Sequence, residues 1–381
     1  MADWHFSPIG KDAKAPLAVG NPFGFAWEND KSQHVVYRGK DNQIHELWFK
    51  HGYVMSGAWQ HAPIGQQAGA PAAAGDPVAY CWEHDKSQHV IYRGADNMIH
   101  ELWFKHGTVM SGSWQHAAIG KDAGAPPAAS DPIAYCWEGD GSQHVVYVGM
   151  DGQIHELWFK HGTLMSGSWQ HAAIGKDAGA PAAAKAKPTA FAWEDDKSQH
   201  IIYSGTDNKL HELWFKHGYV VSGSWQHKNI TDEAKAPKVA GDICAFPWEG
   251  DESQHVAFCT DNGAVHELWY KHGSVMSGSW AYSTVSESKA PAADGRPWGF
   301  AWENDSSQHI VYRGEDKQIH ELWFKHGYVM SGAWQHNAIG KVTGAPPASS
   351  DPCGYTWEGD GSQHVLYVAL DGMIYELWQK K

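Results

Sequence analysis

One pattern governs this chain. The dipeptide Trp-Glu stands at Trp27, Trp82, Trp137, Trp193, Trp248, Trp302 and Trp357, each time followed by Ser-Gln-His and then by an [IVL]-[HY]-Glu-Leu-Trp segment. Successive copies lie 55, 55, 56, 55, 54 and 55 residues apart. A period of that size marks one supersecondary unit per copy, with neighbouring units burying the faces that a single one leaves open. Length alone, 381 residues, would suggest two or three domains of roughly 100–200 residues. No linker or composition shift separates the copies, so the expectation is one domain over residues 1–381.

The tryptophans say how the array ends. Trp27 and Trp48 each recur in all seven copies, whereas the class of Trp59 recurs only at Trp114, Trp169, Trp225, Trp280 and Trp334. The last copy stops at ELWQKK, before that position, but the chain opens on DWHFSPIGKDAKAP, which matches SWQHAAIGKDAGAP. Trp4 is therefore the missing member, and residues 1–16 are expected to complete the last unit. A split repeat makes sense in a ring, not in an open solenoid, which needs caps.

In the first full unit, strands are read at Phe23–Glu28, Gln33–Gly39, Gln43–Lys50 and Ser56–His61, followed by a Pro/Gly-rich connection. Four antiparallel strands repeated seven times give an all-β fold, a seven-bladed β-propeller whose last blade is completed by the N-terminal strand. Closure of this kind leaves no open sheet end. Two hairpin registers fit. A two-residue turn at Asp41-Asn42 would put Glu46 beside Tyr37. A three-residue loop bulged at Asn42 would put His34, Arg38, Glu46 and Trp48 on one face, with Val35, Tyr37, Leu47 and Phe49 on the other. The bulged register separates polar from apolar side chains more cleanly and is preferred. It lays a donor, a carboxylate and an indole along one interblade cleft.

Composition narrows the function. A net charge of −14 repels phosphate backbones and supplies no basic groove, which argues against nucleic acid. No apolar run reaches the roughly 18 residues of a membrane span, so membrane insertion is not expected. MADWHFSPIG lacks a basic and an apolar signal region. The expectation is synthesis in the cytoplasm, with any release by a non-classical route. Five cysteines without a CxxC spacing read as core filler in a reducing compartment.

Histidine is abundant, with 26 residues, and nearly all fall into repeat classes: after Gln, before Glu, in Lys-His-Gly, and after Trp-Gln. Periodic single imidazoles do not converge as metal ligands must, so neither a metal nor another cofactor is expected. Glu28 and Glu46 could be imagined as an acid and base pair for glycoside hydrolysis, but that chemistry needs one asymmetric site. The same carboxylate recurs in every copy, and neither a nucleophile elbow nor a phosphate loop is present. Catalysis is not expected. A repeated face of donor, carboxylate and aromatic ring suits a pyranose, which offers vicinal hydroxyls and an apolar C–H patch. Seven weak sites on one rigid frame would act through avidity. The copies differ in detail: Arg38, Arg93 and Arg313 are replaced by Val148, Ser204, Cys259 and Val368 elsewhere.

The repeat W-E-x-D-x-S-Q-H-V-x-Y-R-G-x-D-x-x-I-H-E-L-W resembles that of the PLL-like seven-bladed β-propeller lectins of Photorhabdus, and the resemblance covers essentially the whole chain. It implies a multivalent, non-catalytic lectin for L-fucose or galactose-type sugars, with sites between adjacent blades and a tendency to form homo-oligomers. A more distant resemblance, to fungal six-bladed fucose lectins, implies a basic residue on the second strand and a glutamate twelve residues later. That separation is met by His34 and Glu46, His89 and Glu101, His144 and Glu156, His200 and Glu212, His255 and Glu267, His309 and Glu321, and His364 and Glu376. Histidine in place of arginine departs from that pattern. The expected apolar contacts are Trp48, Trp103, Trp158, Trp214, Trp269, Trp323 and Trp378. The competing readings are a protein-binding scaffold and a glycan-active enzyme.

Overall fold

A computed structural model describes residues 3–51, 58–83, 85–105, 113–160, 168–194, 196–216, 224–271, 279–286, 290–325 and 333–381. Their strands form seven four-stranded antiparallel sheets, the blades of an all-β propeller. The second blade is typical, with strands at Val78–Trp82, Ser87–Arg93, Ile99–Lys105 and Gln115–Ala117. The seventh takes three strands from the C-terminal end, Cys353–Trp357, Ser362–Val368 and Ile374–Lys380, and its fourth from His5–Ser7. His5 pairs with Trp378, Phe6 with Leu377 and Ser7 with Glu376, so the opening residues do complete the last blade.

The hairpin between the second and third strands adopts the bulged register. In the second blade the Gly94 N–H donates to Met98 O at 2.9 Å, Asn97 sits at φ 63°, and the Asp96 carboxylate accepts the Met98 N–H at 3.0 Å. A left-handed residue closing a three-residue loop is the form that matches strand twist. It sets His89 opposite Trp103 and Ile91 opposite Glu101.

The fourth strand is shorter than the spacing suggests. In the first blade it runs Gln60–Ala62, not Ser56–His61, and residues 52–57 lie outside the described chain. It gives way to a four-residue helix, Ile64–Gln67, that the sequence reading did not include. The reason is packing. Ile64, Ile119 and Ile174 are fully buried at the starts of these helices, and a side chain on the next residue, Gly120, would stand 3.0 Å from the Ile99 backbone nitrogen.

The chain forms two compact units, residues 1–35, 47–61 and 231–381, and residues 36–46 and 62–230. Inside the first, Val311, Ile319, Ile339, Val365, Tyr367 and Leu377 build the core of blades six and seven. Inside each unit, glutamates of the Trp-Glu pairs strap neighbouring blades. Glu138 accepts the Glu83 N–H at 2.8 Å, and Glu194 that of Glu138 at 2.9 Å. Glu303 takes Glu249 and Gly250, and Glu28 takes Glu358 and Gly359. The carboxylate considered as a possible acid is thus engaged by backbone amides. The half-buried amides of Glu83, Glu138, Glu249 and Glu358 gain partners this way.

A second histidine class is also bound within its own blade. His100 Nε2 lies 3.0 Å from Asp96 and its Nδ1 3.0 Å from His116 Nε2. The same Asp–His–His chain joins Asp151, His155 and His171, Asp207, His211 and His227, and Asp316, His320 and His336. Among the described residues no three His, Cys, Asp or Glu side chains are grouped to hold a metal ion. Burial, and then the partner imidazole, hold His116, His171, His227 and His336 below the ordinary histidine range; burial does so for His266. The unfolded chain therefore takes up these protons first as pH falls below about 6.5. Stability from these groups is present above that pH and is lost on acidification. The thermal midpoint should fall steadily from about pH 7 to about pH 5. A midpoint that stays level across that range contradicts the assignment.

Candidate functional site between adjacent blades

The bulged register places one polar chain along each blade. In blade five Lys271 Nζ donates to Asp251 at 2.6 Å, and Ser253 Oγ donates to the other oxygen of Asp251 at 2.9 Å. Ser253 Oγ lies 2.8 Å from His255 Nε2, and His255 Nδ1 lies 2.7 Å from Glu267 Oε1. The Phe246 ring stacks on the imidazole with centroids 5.2 Å apart. His255 and Glu267 are buried, and burial of such groups is tolerated because each is hydrogen-bonded.

The histidine–glutamate contact recurs at 2.7–2.8 Å in His89–Glu101, His144–Glu156, His200–Glu212, His309–Glu321 and His364–Glu376. In the first blade His34 and Glu46 are likewise buried, and Ser32 Oγ stands 2.8 Å from His34 Nε2. Trp48, Trp103, Trp158, Trp214, Trp269, Trp323 and Trp378 are half-buried.

Two cavities in the first unit show what these side chains face. One, of about 570 Å³, is lined by Asp251, His255, Glu267, Trp269 and Lys271 of blade five and by Gln308, Phe324 and Trp334 of blade six. The other, of about 290 Å³, is lined by Asp305, His309, Glu321, Trp323 and Lys325 of blade six and by Gln363, Gln379, Lys381 and Trp4. The three residue classes named from sequence come together in both. Trp4, from the opening segment, stands where Trp334 stands in the first cavity.

The sequence reading missed half of the cleft wall. The indole of Trp334 or Trp4, the amide of Gln308 or Gln363, and the Asp–Lys pair belong to it as well. A signal existed for the pair: Asp30 and Lys50 recur in all seven copies. Nothing within one repeat announces which residues the next blade presents.

The arginines lie elsewhere. Arg93 opposes Ile99 and sends Nε and Nη2 to Asp131 at 3.2 and 3.1 Å. Arg313 faces Asp351 at 3.5 Å, and Arg38 faces Asp76 at 3.8 Å. Four residues along the strand separate this arginine from the histidine, roughly 13 Å, so it braces the hairpin end. Of the Lys-His-Gly histidines, His51 packs edge-on against Trp357 at 4.7 Å; His106, His161, His217, His272 and His326 lie outside the described residues. All five cysteines are free thiols, Cys244, Cys259 and Cys353 buried and Cys81 and Cys136 half-buried.

The order serine, histidine, glutamate matches that of a hydrolytic triad, but the geometry does not serve one. Ser253 is only 1% exposed and its hydroxyl donates to Asp251, so no substrate carbonyl reaches it. What lines the cleft is a braced carboxylate, two indoles, an ammonium and an amide. Such a surface accepts hydroxyl protons and packs against C–H groups. Replacing His255 with Ala would leave Glu267 buried without its main partner. The expected cost is on the order of 3 kcal/mol, read by urea unfolding; an unchanged midpoint contradicts the brace.

No family model matches the chain, and no curated protein matches it. Solved structures do resemble it. The BP39L lectin from Burkholderia pseudomallei is 15% identical, with a TM-score of 0.71 over 95% of this chain and 96% of that one. A fucose-specific lectin from Aleuria aurantia is 17% identical, with a TM-score of 0.55 over 85% and 96%. The SapL1 lectin, solved in complex with alpha methyl fucoside, is 14% identical, with a TM-score of 0.53 over 85% and 95%. At these identities the likeness establishes the propeller fold.

Proposed function

We propose that this chain is a multivalent carbohydrate-binding protein of the PLL-like kind, lodging L-fucose or a galactose-type pyranose in its interblade clefts without transforming it. The observation that carries this reading is the cavity of blades five and six, which Glu267, Trp269 and Trp334 line together. A fucose-specific lectin and a lectin solved with a fucoside share the fold. The glutamate accepts sugar hydroxyl protons, and the Asp251–Lys271 pair offers further polar contacts. The indoles cover the apolar edge of the ring. Because both nitrogens of His255 are engaged within the blade, we assign the histidine class to positioning the carboxylate. The same roles are proposed for the equivalent residues of the other blades, so that weak single sites add up on a glycan-coated surface.

Calorimetric titration with methyl α-L-fucoside and methyl galactosides tests this. Saturable binding is expected, and Glu267→Gln should weaken its own cleft about tenfold, seen as one site fewer in the stoichiometry. No heat with either sugar contradicts the proposal. Capture of one protein partner that free sugar fails to displace would favour a scaffold instead.

A further inference from the structure

The clefts differ in one respect that the repeat disguises. The residue stacked on the cleft histidine is Tyr at Tyr80, Tyr135 and Tyr355, but Phe at Phe25, Phe191, Phe246 and Phe300. Each Tyr hydroxyl reaches into the next blade and donates to a glutamine carbonyl: Tyr80 to Gln143, Tyr135 to Gln199 at 2.6 Å, and Tyr355 to Gln33 at 2.7 Å. Beside Phe246 and Phe300 that donor is missing. There the buried Oε1 atoms of Gln308 and Gln363 have no hydrogen-bond partner, although the two side chains are only 5% and 2% exposed. Both glutamines line the cavities described above.

A satisfied carbonyl fixes the amide. With Oε1 held by a tyrosine, the Nε2 hydrogens have one direction left, and a ligand meets a donor already set. With Oε1 orphaned, as in Gln308, the amide has no such anchor, and a ligand must bear the cost of ordering it. In the cleft of blades six and seven the Gln363 Nε2 is instead committed within the protein, donating to Gln379 Oε1 at 2.8 Å and to Glu321 Oε1 at 3.4 Å, so a ligand there has to displace those bonds.

We propose that the Tyr/Phe choice at this position sorts the clefts into two affinity classes, the tyrosine-backed ones binding a pyranose more tightly because their glutamine is preset as a donor. The inference rests on the carbohydrate reading and adds specificity-determining residues to it: Tyr80, Tyr135 and Tyr355, which act through Gln143, Gln199 and Gln33.

The test is calorimetric titration of the full chain with methyl α-L-fucoside, fitted for site classes. A tight class of three sites is expected. Combined Tyr80→Phe, Tyr135→Phe and Tyr355→Phe should merge it with the weak class, lowering affinity about fivefold. Because that variant could lose stability, the opposite exchange is the second arm: Phe246→Tyr with Phe300→Tyr should enlarge the tight class. A single class of equal sites, unmoved by either exchange, overturns the inference and leaves the lectin reading standing. No binding of the fucoside or of methyl galactosides to the unaltered chain overturns both.

Discussion

The pairing of His5–Ser7 with Ile374–Lys380 is the constraint on which the seventh blade depends. Without it that sheet has three strands and an open edge, and exposed edges invite association. The same pairing delivers Trp4 to the cavity that holds Glu321 and Trp323. One short strand therefore serves both the architecture and the cleft. Its contacts are modest: three register pairs, a hydrogen bond from Trp378 Nε1 to Ser7 Oγ at 3.2 Å, and the His5 ring against Trp378.

Within each blade the polar side chains follow one logic on both faces. Among the described residues, the cleft histidines and glutamates of blades two to seven are joined to each other across adjacent strands. The cleft face runs from lysine through aspartate, serine and histidine to glutamate. The opposite face runs from the hairpin aspartate through two histidines. Blades five and seven vary the second chain, with Thr260 and Tyr282 around His266, and with Tyr375 on Asp371. These networks cost little only because they are satisfied, and they hold side chains in one geometry. The cleft glutamate is thereby held in one geometry.

Much of this was legible in the residues. Seven Trp-Glu copies and one displaced Trp4 specified the number of blades and the origin of the last strand. Asn97 and its equivalents allowed two hairpin registers, and the cleaner separation of polar from apolar side chains pointed to the bulged one that the structure adopts. The face shared by histidine, glutamate and tryptophan came with it. What escaped depends on contacts between sheets or on short-range packing. Trp334 and Gln308 enter the cleft from the next blade, and the spacing within a repeat carries no record of how two blades dock. Asp131, the partner of Arg93, sits in the following connection for the same reason. The helix at Ile64 was hidden by its brevity: four residues carry no period, and only the burial of one isoleucine marks it. That Ser253 would engage the second nitrogen of His255 was open to inspection in the Ser-Gln-His triplet, since alternate residues of a strand share a face.

The most direct measurement is a crystal structure of the chain with methyl α-L-fucoside. The account predicts a pyranose between Trp269 and Trp334 with its hydroxyls on Glu267. A fucoside seated away from the blade junctions, or junctions left empty at saturating sugar, would contradict it.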